Sequence, residues 1–266
     1  MSRMPSLFVS HGAPTFAVEP GQAGPLLAQL GRSMRRPEAV LILSPHWITR
    51  GVRVTTAPKP ETIHDFGGFP EELYRIQYPA PGSTEIAMRA LALLDADGWD
   101  AAPDNERGLD HGAWVPVRHM YPDADVPVLQ VSMPHTLDGA GAVKLGRSLA
   151  PLADEGVLIV GSGSITHNLR EVFGGTPEAS SNYSHEFVAW ARNAVKAHDE
   201  NALANWQAAP HARRAHPTAE HYLPLPFAFG AGDAKAPVTV IDGGMTFGVL
   251  AMDAYLFGEP ASVALQ

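Results

Sequence analysis

The stretch Ala39-Val40-Leu41-Ile42-Leu43-Ser44-Pro45-His46-Trp47 decides the fold. Five consecutive apolar residues, β-branched at two positions, predict a strand buried on both faces, as in a parallel sheet covered by helices. Pro45 has no N–H for a ladder, so the strand is expected to stop there. His46 then falls just beyond the carboxyl end of a strand, where open α/β sheets bind their ligands.

The same arrangement recurs on either side. Leu7-Phe8-Val9-Ser10 runs directly into His11-Gly12, and Val157-Leu158-Ile159-Val160 leads through Gly161-Ser162-Gly163-Ser164 to His167. Three short buried strands thus deliver an imidazole at the same end. Between the first two lies a helix over residues 25–34, with Leu26, Leu27 and Leu30 at helical spacing. Another helix over 140–153 precedes the third strand. Both are βαβ units, which imply parallel strands with right-handed crossovers. The expected fold is α/β: one domain over residues 1–266, a mostly parallel central sheet flanked by helices, and a site at the C-terminal ends of the strands.

Further from the centre, residues 52–56 alternate and predict a half-exposed strand. Ser83 suits the N-cap of a helix over 83–97 whose Ile86, Ala87, Ala90, Leu91 and Leu94 share a face. Residues 108–114 predict a Gly-flanked turn, followed by a short helix over 115–121 and a strand over 126–133. An amphipathic helix over 181–198 turns Phe187, Trp190, Ala191, Ala194 and Val195 inward and leaves His185 and His198 in solvent. The last strand is expected at 238–241, and 245–257 reads equally as strand or helix. Residues 58–82 form a long Pro- and Gly-dense segment with Phe66, Phe69, Tyr74 and Tyr78, a packed Ω-loop or a pocket wall.

Composition narrows the chemistry. The 266 residues are 45% hydrophobic, enough for a full core, and carry a formal net charge of -9 without any basic stripe. That argues against nucleic acid or an anionic membrane as partner and favours a small ligand. With no cysteine, a metal must be held by His, Asp or Glu. No apolar run approaches membrane-spanning length and no signal-peptide core precedes the first strand, so the expected location is cytoplasmic.

Histidine is abundant at 12 residues. The candidate metal ligands are His11 and His46 at strand ends and His221 in the Pro-bounded segment 217–226. A catalytic metal needs about three protein ligands and an open position. His111 and His167, read in Gly-rich turns, suit acid/base work. His64 beside Asp65 reads as a pair supporting the metal ligands, a substrate contact or a loop anchor, and His119, His135, His198 and His211 are assigned structural or surface places.

Ser10-His11-Gly12-Ala13-Pro14, Ser44-Pro45-His46-Trp47, residues 62–70, 78–83, 109–114 and 217–225 resemble the 4,5-DOPA extradiol dioxygenase family. This is the single-domain branch of the class III, LigB-type extradiol ring-cleaving dioxygenases. The resemblance runs through nearly the whole chain in one order. It implies one divalent metal, Zn²⁺ or Fe²⁺, on His11, His46 and His221, with His167 as fourth ligand or catalytic base. His111 would be the second acid/base or oxygen-stabilising group. Ring-cleaving relatives use two histidines and a carboxylate, whereas His221 stands at the carboxylate position here.

The implied reaction opens the ring of a DOPA-like catechol with O₂ to a semialdehyde acid, in a pocket walled by Trp47, His64, Phe66 and Phe69. The partners are then a small aromatic diol and O₂, and the chain is expected as monomer or homodimer. Two other readings fit the same histidines: a zinc-dependent hydrolase, with a metal-bound water of lowered pKa, and a non-catalytic binding protein on the same fold.

Overall fold

The computed structural model describes residues 3–174 and 182–259. Strands and helices alternate through the first two-thirds: β1 (Ser6–Ser10), α1 (Ala23–Ser33), β2 (Ala39–Thr49), β3 (Val52–Thr55), α2 (Thr84–Ala96), β4 (Ala101–Asp104), α3 (His111–Met120), β5 (Val128–Pro134), α4 (Gly139–Leu149) and β6 (Val157–Gly163). The remainder is mostly helical before a closing run of strands: α5 (Leu169–Gly174), α6 (Asn182–Lys196), α7 (Glu200–Ala204), α8 (Ala212–Ala215), α9 (Pro224–Ala231), β7 (Val238–Ile241), β8 (Met245–Thr246), β9 (Leu250–Ala251) and β10 (Ala254–Phe257).

Eight strands form one sheet in the order β4-β3-β5-β2-β6-β1-β10-β7. Its centre, β5-β2-β6-β1, is parallel, and β10 pairs antiparallel with both β1 and β7. Both βαβ units are present, yet neither joins sheet neighbours: β6 separates β1 from β2, and β2 separates β5 from β6. The four central strands are almost wholly buried, which explains why their sequences are apolar runs rather than alternations.

Residue alternation on β6 distributes the covering helices. The Ser162 hydroxyl bonds the Gly112 carbonyl of α3 on one face. Gly161 and Gly163 point to the other, where a Cβ would overlap the carbonyls of Pro224 and His221. Helix α9 can lie this close to the sheet only because β6 carries glycine at those two positions.

The structure corrects several expectations. Pro45 does not end β2, which continues to Thr49. The parallel pairing with β6 stops at Leu43, and pairing with β5 resumes at Ile48 after a register shift. Pro45 therefore sits in an irregularity, and His46 projects from that bulge rather than from beyond a strand end. Residues 52–55 are mostly buried rather than half exposed, because β4 covers their outer edge. That edge strand contains Pro103 and carries no apolar run to betray it. The helix expected from Val115 begins at His111, because the Asp110 carboxylate caps it by accepting from the Ala113 N–H at 3.2 Å. The segment 245–257 forms strands, so β10, not β7, is the last. Ser181, read as the start of α6, lies outside the described residues.

Candidate metal centre and active site

His11 follows β1 directly, and its N–H bonds the Gly163 carbonyl of the neighbouring strand at 3.0 Å. His46 sits on the β2 bulge. His221 arrives from the opposite direction, in the turn before α9, where its carbonyl accepts from the Ser164 N–H at 2.9 Å. One ligand atom from each of the three lies within 4.8 Å of the others, and the Nε2 atoms of His11 and His46 are 3.2 Å apart. Two imidazole nitrogens on a tetrahedral zinc ion, with bonds of about 2.0–2.1 Å, stand roughly 3.3 Å apart. The spacing fits a shared cation.

The tautomers point the same way. Ser162 donates its hydroxyl hydrogen to Gly112, so at 3.0 Å it can only accept from His11 Nδ1–H. The His221 Nδ1–H donates to Glu220 at 3.2 Å. In both rings the free lone pair is then on Nε2, as a ligand requires. Glu220, the preceding residue, backs His221 from behind. Burial, reinforced by neighbouring imidazoles, drives His11 and His221 well below the ordinary histidine pKa, and His46 to about 4. All three are neutral at pH 7, the form that binds metal. These donors suit zinc and iron alike.

His111 and His167 flank this set. Asp65 accepts from both the N–H and Nδ1–H of His111 at 2.9 Å, and its other oxygen lies 3.7 Å from His46 Nδ1. Burial would raise the Asp65 carboxyl, but the bonds from His111 outweigh it and hold the group at about 2. A fixed carboxylate thus orients His111 and leaves its Nε2 free. His167 stacks on His221, ring centroids 3.4 Å apart and planes 8° apart, and burial lowers it to about 4.

A buried polar cluster supports the arrangement. Asp110 accepts from Ser44 at 2.7 Å, Gln130 at 2.7 Å and Arg107 at 3.0 Å, while Arg107 also bonds the His46 carbonyl at 3.1 Å. The long segment 58–82 is pinned beside it: the Ile63 N–H donates to the Leu109 carbonyl and the Leu109 N–H to the Glu61 carbonyl, both at 2.7 Å, and the Trp114 indole donates to the Ile63 carbonyl at 3.0 Å.

All five histidines line a cavity of about 310 Å³. Of the predicted wall residues, Phe66 and Phe69 line it and form an edge-to-face pair at 5.6 Å. Trp47 and His64 do not. Trp47 is buried under the Arg107 guanidinium, and His64 anchors the loop through the Ile76 carbonyl at 2.9 Å. His119 and His211 likewise serve local bonds, to the Phe16 carbonyl and to Glu186. Sequence reasoning overlooked the remaining wall, contributed by α5 and the β8–β9 ribbon. Only the amphipathic spacing of Leu169, Val172 and Phe173 could have hinted at it.

Residues 6–251 match the family described as the catalytic LigB subunit of aromatic ring-opening dioxygenase. The chain is 38% identical over 261 residues to a 4,5-DOPA dioxygenase extradiol of Escherichia coli K12, covering 94% of this chain and 93% of that one. It is 38% identical over 260 residues to the protein of the same name from Beta vulgaris, covering 95% and 96%. Among solved structures, an uncharacterized Escherichia coli K12 protein superposes with a TM-score of 0.79 at 32% identity, covering 96% of this chain and all of that one.

Proposed function

The chain belongs to the LigB family of aromatic ring-opening dioxygenases, and we propose that it opens the ring of a catechol by extradiol cleavage with O₂, releasing a semialdehyde acid. The observation that carries this reading is the convergence of His11, His46 and His221 at the floor of a cavity that His111 and His167 also face. A divalent metal held by those three residues would supply the binding and activation of diol and oxygen. Iron is the metal proposed for turnover, since zinc has no accessible redox change.

The protein's own contribution is orientation and proton handling. His167, neutral at working pH, is suited to take a phenolic proton from the incoming catechol. It groups with Glu220 and His221 rather than with the trio of ligand atoms, which favours base over fourth ligand. His111, oriented through its Nδ1–H by Asp65, faces the same cavity and is suited to contact the oxygen end of the reactants. Phe66 and Phe69 would pack against the aromatic ring and exclude water.

The test is anaerobic reconstitution of metal-free protein with Fe(II) or Zn(II), followed by a catechol and air. A yellow semialdehyde forming with iron and not with zinc is the expected outcome. Absence of ring opening with either metal across several catechols, together with ester hydrolysis by the zinc form, would replace this reading with a hydrolase.

A further inference from the structure

The cavity is polar at one end only. Its floor is the histidine cluster, and from there to the mouth it is lined by apolar surface: Phe66, Phe69, Leu169, Phe173, Phe247 and Leu250 among others. Among the described residues lining it, none carries a carboxylate, an ammonium or a guanidinium. Carboxylates beside it are committed elsewhere, Asp65 to His111, Glu220 to Thr218 and His221, and Glu171 to Arg214.

Three of the lining residues break a second rule. Leu169, Phe173 and Phe247 are 44%, 76% and 53% exposed, half of the six large hydrophobic side chains in the described chain that are so exposed, and all stand at this one mouth. Contiguous exposed apolar surface around a cavity marks a place where something apolar binds. Phe247 is also held at φ 52, a left-handed conformation unfavourable for a bulky residue, on the turn of the β8–β9 ribbon. That ribbon is fastened beside His167, since Thr166 donates to the Val249 carbonyl at 2.6 Å and accepts from the Ala251 N–H at 2.9 Å. Strain kept at a ligand-facing position is a feature of binding sites.

We propose that this site takes catechols whose ring substituent is uncharged and apolar, with the diol on the histidine floor and the substituent running to the Leu169–Phe173–Phe247 lip. The proposal rests on the catechol reading above and narrows it. An amino-acid side chain such as that of DOPA would bring an ammonium and a carboxylate against surface that offers neither a partner, and unpaired charges are costly to desolvate. An alkyl or aryl substituent loses nothing there and gains by leaving water.

Binding separates this proposal from the reaction. Zinc-loaded protein without O₂ is titrated by calorimetry with catechol, 4-propylcatechol and DOPA. A propyl chain buried along the wall should tighten binding by up to about fiftyfold over catechol, while DOPA binds no tighter than catechol. DOPA binding more tightly than 4-propylcatechol, or propyl conferring no gain, overturns the proposal, as does DOPA affinity that disappears in Arg170→Ala, a charged neighbour of the lip. Leu169→Arg, at an exposed position that tolerates charge, is expected to reverse the preference towards 3-(3,4-dihydroxyphenyl)propanoate. If 4-propylcatechol binds as expected and the iron form leaves its ring closed, the ring-opening reading fails and the apolar subsite stands.

Discussion

At the scale of single residues, the site works by fixing protons. Neutral imidazoles meet at the centre because their far nitrogens are tied to Ser162 and Glu220, and His46 faces Asp65. His46→Ala removes one of three donors at a partly exposed position, so the fold should survive while zinc binding and ring opening are both lost. Competition with a chromophoric chelator reads the first and the yellow product the second, and retention of both would remove His46 from the site. Asp65→Asn keeps the shape and removes the charge behind His111. Losses of about 10–100-fold are typical when such a supporting group is changed. The decrease should appear in kcat with little change in metal content, and an unchanged kcat would make Asp65 a loop anchor only.

Elements matter here mainly through close approach. β6 lets α9 and the His221 turn down onto the sheet through Gly161 and Gly163. Gly163→Ala would press a methyl group against the His221 carbonyl, and the strain of such insertion into a packed core is about 1–3 kcal/mol. The expected result is a lower denaturation midpoint with zinc affinity weakened beyond what stability explains, because the displaced backbone carries a ligand. Ala at 163 with native zinc affinity would show that the His221 turn is set from elsewhere. The parallel core and its crossovers were legible in the sequence because buried strands and amphipathic helices have strong, local periodicities. The continuation of β2 past Pro45, the edge strand β4 and the start of α3 were not. Each depends on a partner distant in sequence: β5 resuming its pairing at Ile48, β3 supporting β4, and Asp110 held by Ser44 and Gln130.

For the whole molecule, burying several neutral histidines links stability to pH and to metal. His46 and His167 fall to about 4 and His216, sealed behind the site against the Ile165 carbonyl, to about 3. In the unfolded chain these groups take up protons near pH 6.5. Between about pH 6.5 and 4 the unfolded state therefore binds more protons, so metal-free protein should lose stability steadily as pH falls through that window. Urea midpoints at pH 7.5, 6 and 5 would show it, and a flat profile would mean the cluster is protonated in the native state. Metal acts in the opposite direction. Zinc at one hundred times its dissociation constant adds about 2.7 kcal/mol if it binds only the native state. At roughly 2–4 °C per kcal/mol, Tm should rise by several degrees in the wild type and not in His46→Ala. Among the described residues no helix is long and apolar enough to cross a membrane.

The sequence by itself determined that the fold is α/β, that β1, β2 and β6 bring histidines to one end of it, and that His11, His46 and His221 are the metal candidates. The first two facts are local, an apolar run or helical stripe and the residue that follows it, and His221 stands out by its Pro-bounded segment. Tertiary structure alone decided that Trp47 turns away into the Arg107 contact and that His64 holds a loop. It also placed Asp65 behind His111, Ser162 behind His11, and α5 with the β8–β9 ribbon across the mouth. These are matters of which side of a backbone faces which neighbour. A register shift at the Pro45 bulge, or a capping carboxylate on Asp110 held by the Ser44 hydroxyl from 66 residues away, settles such questions without leaving any period in the sequence to read.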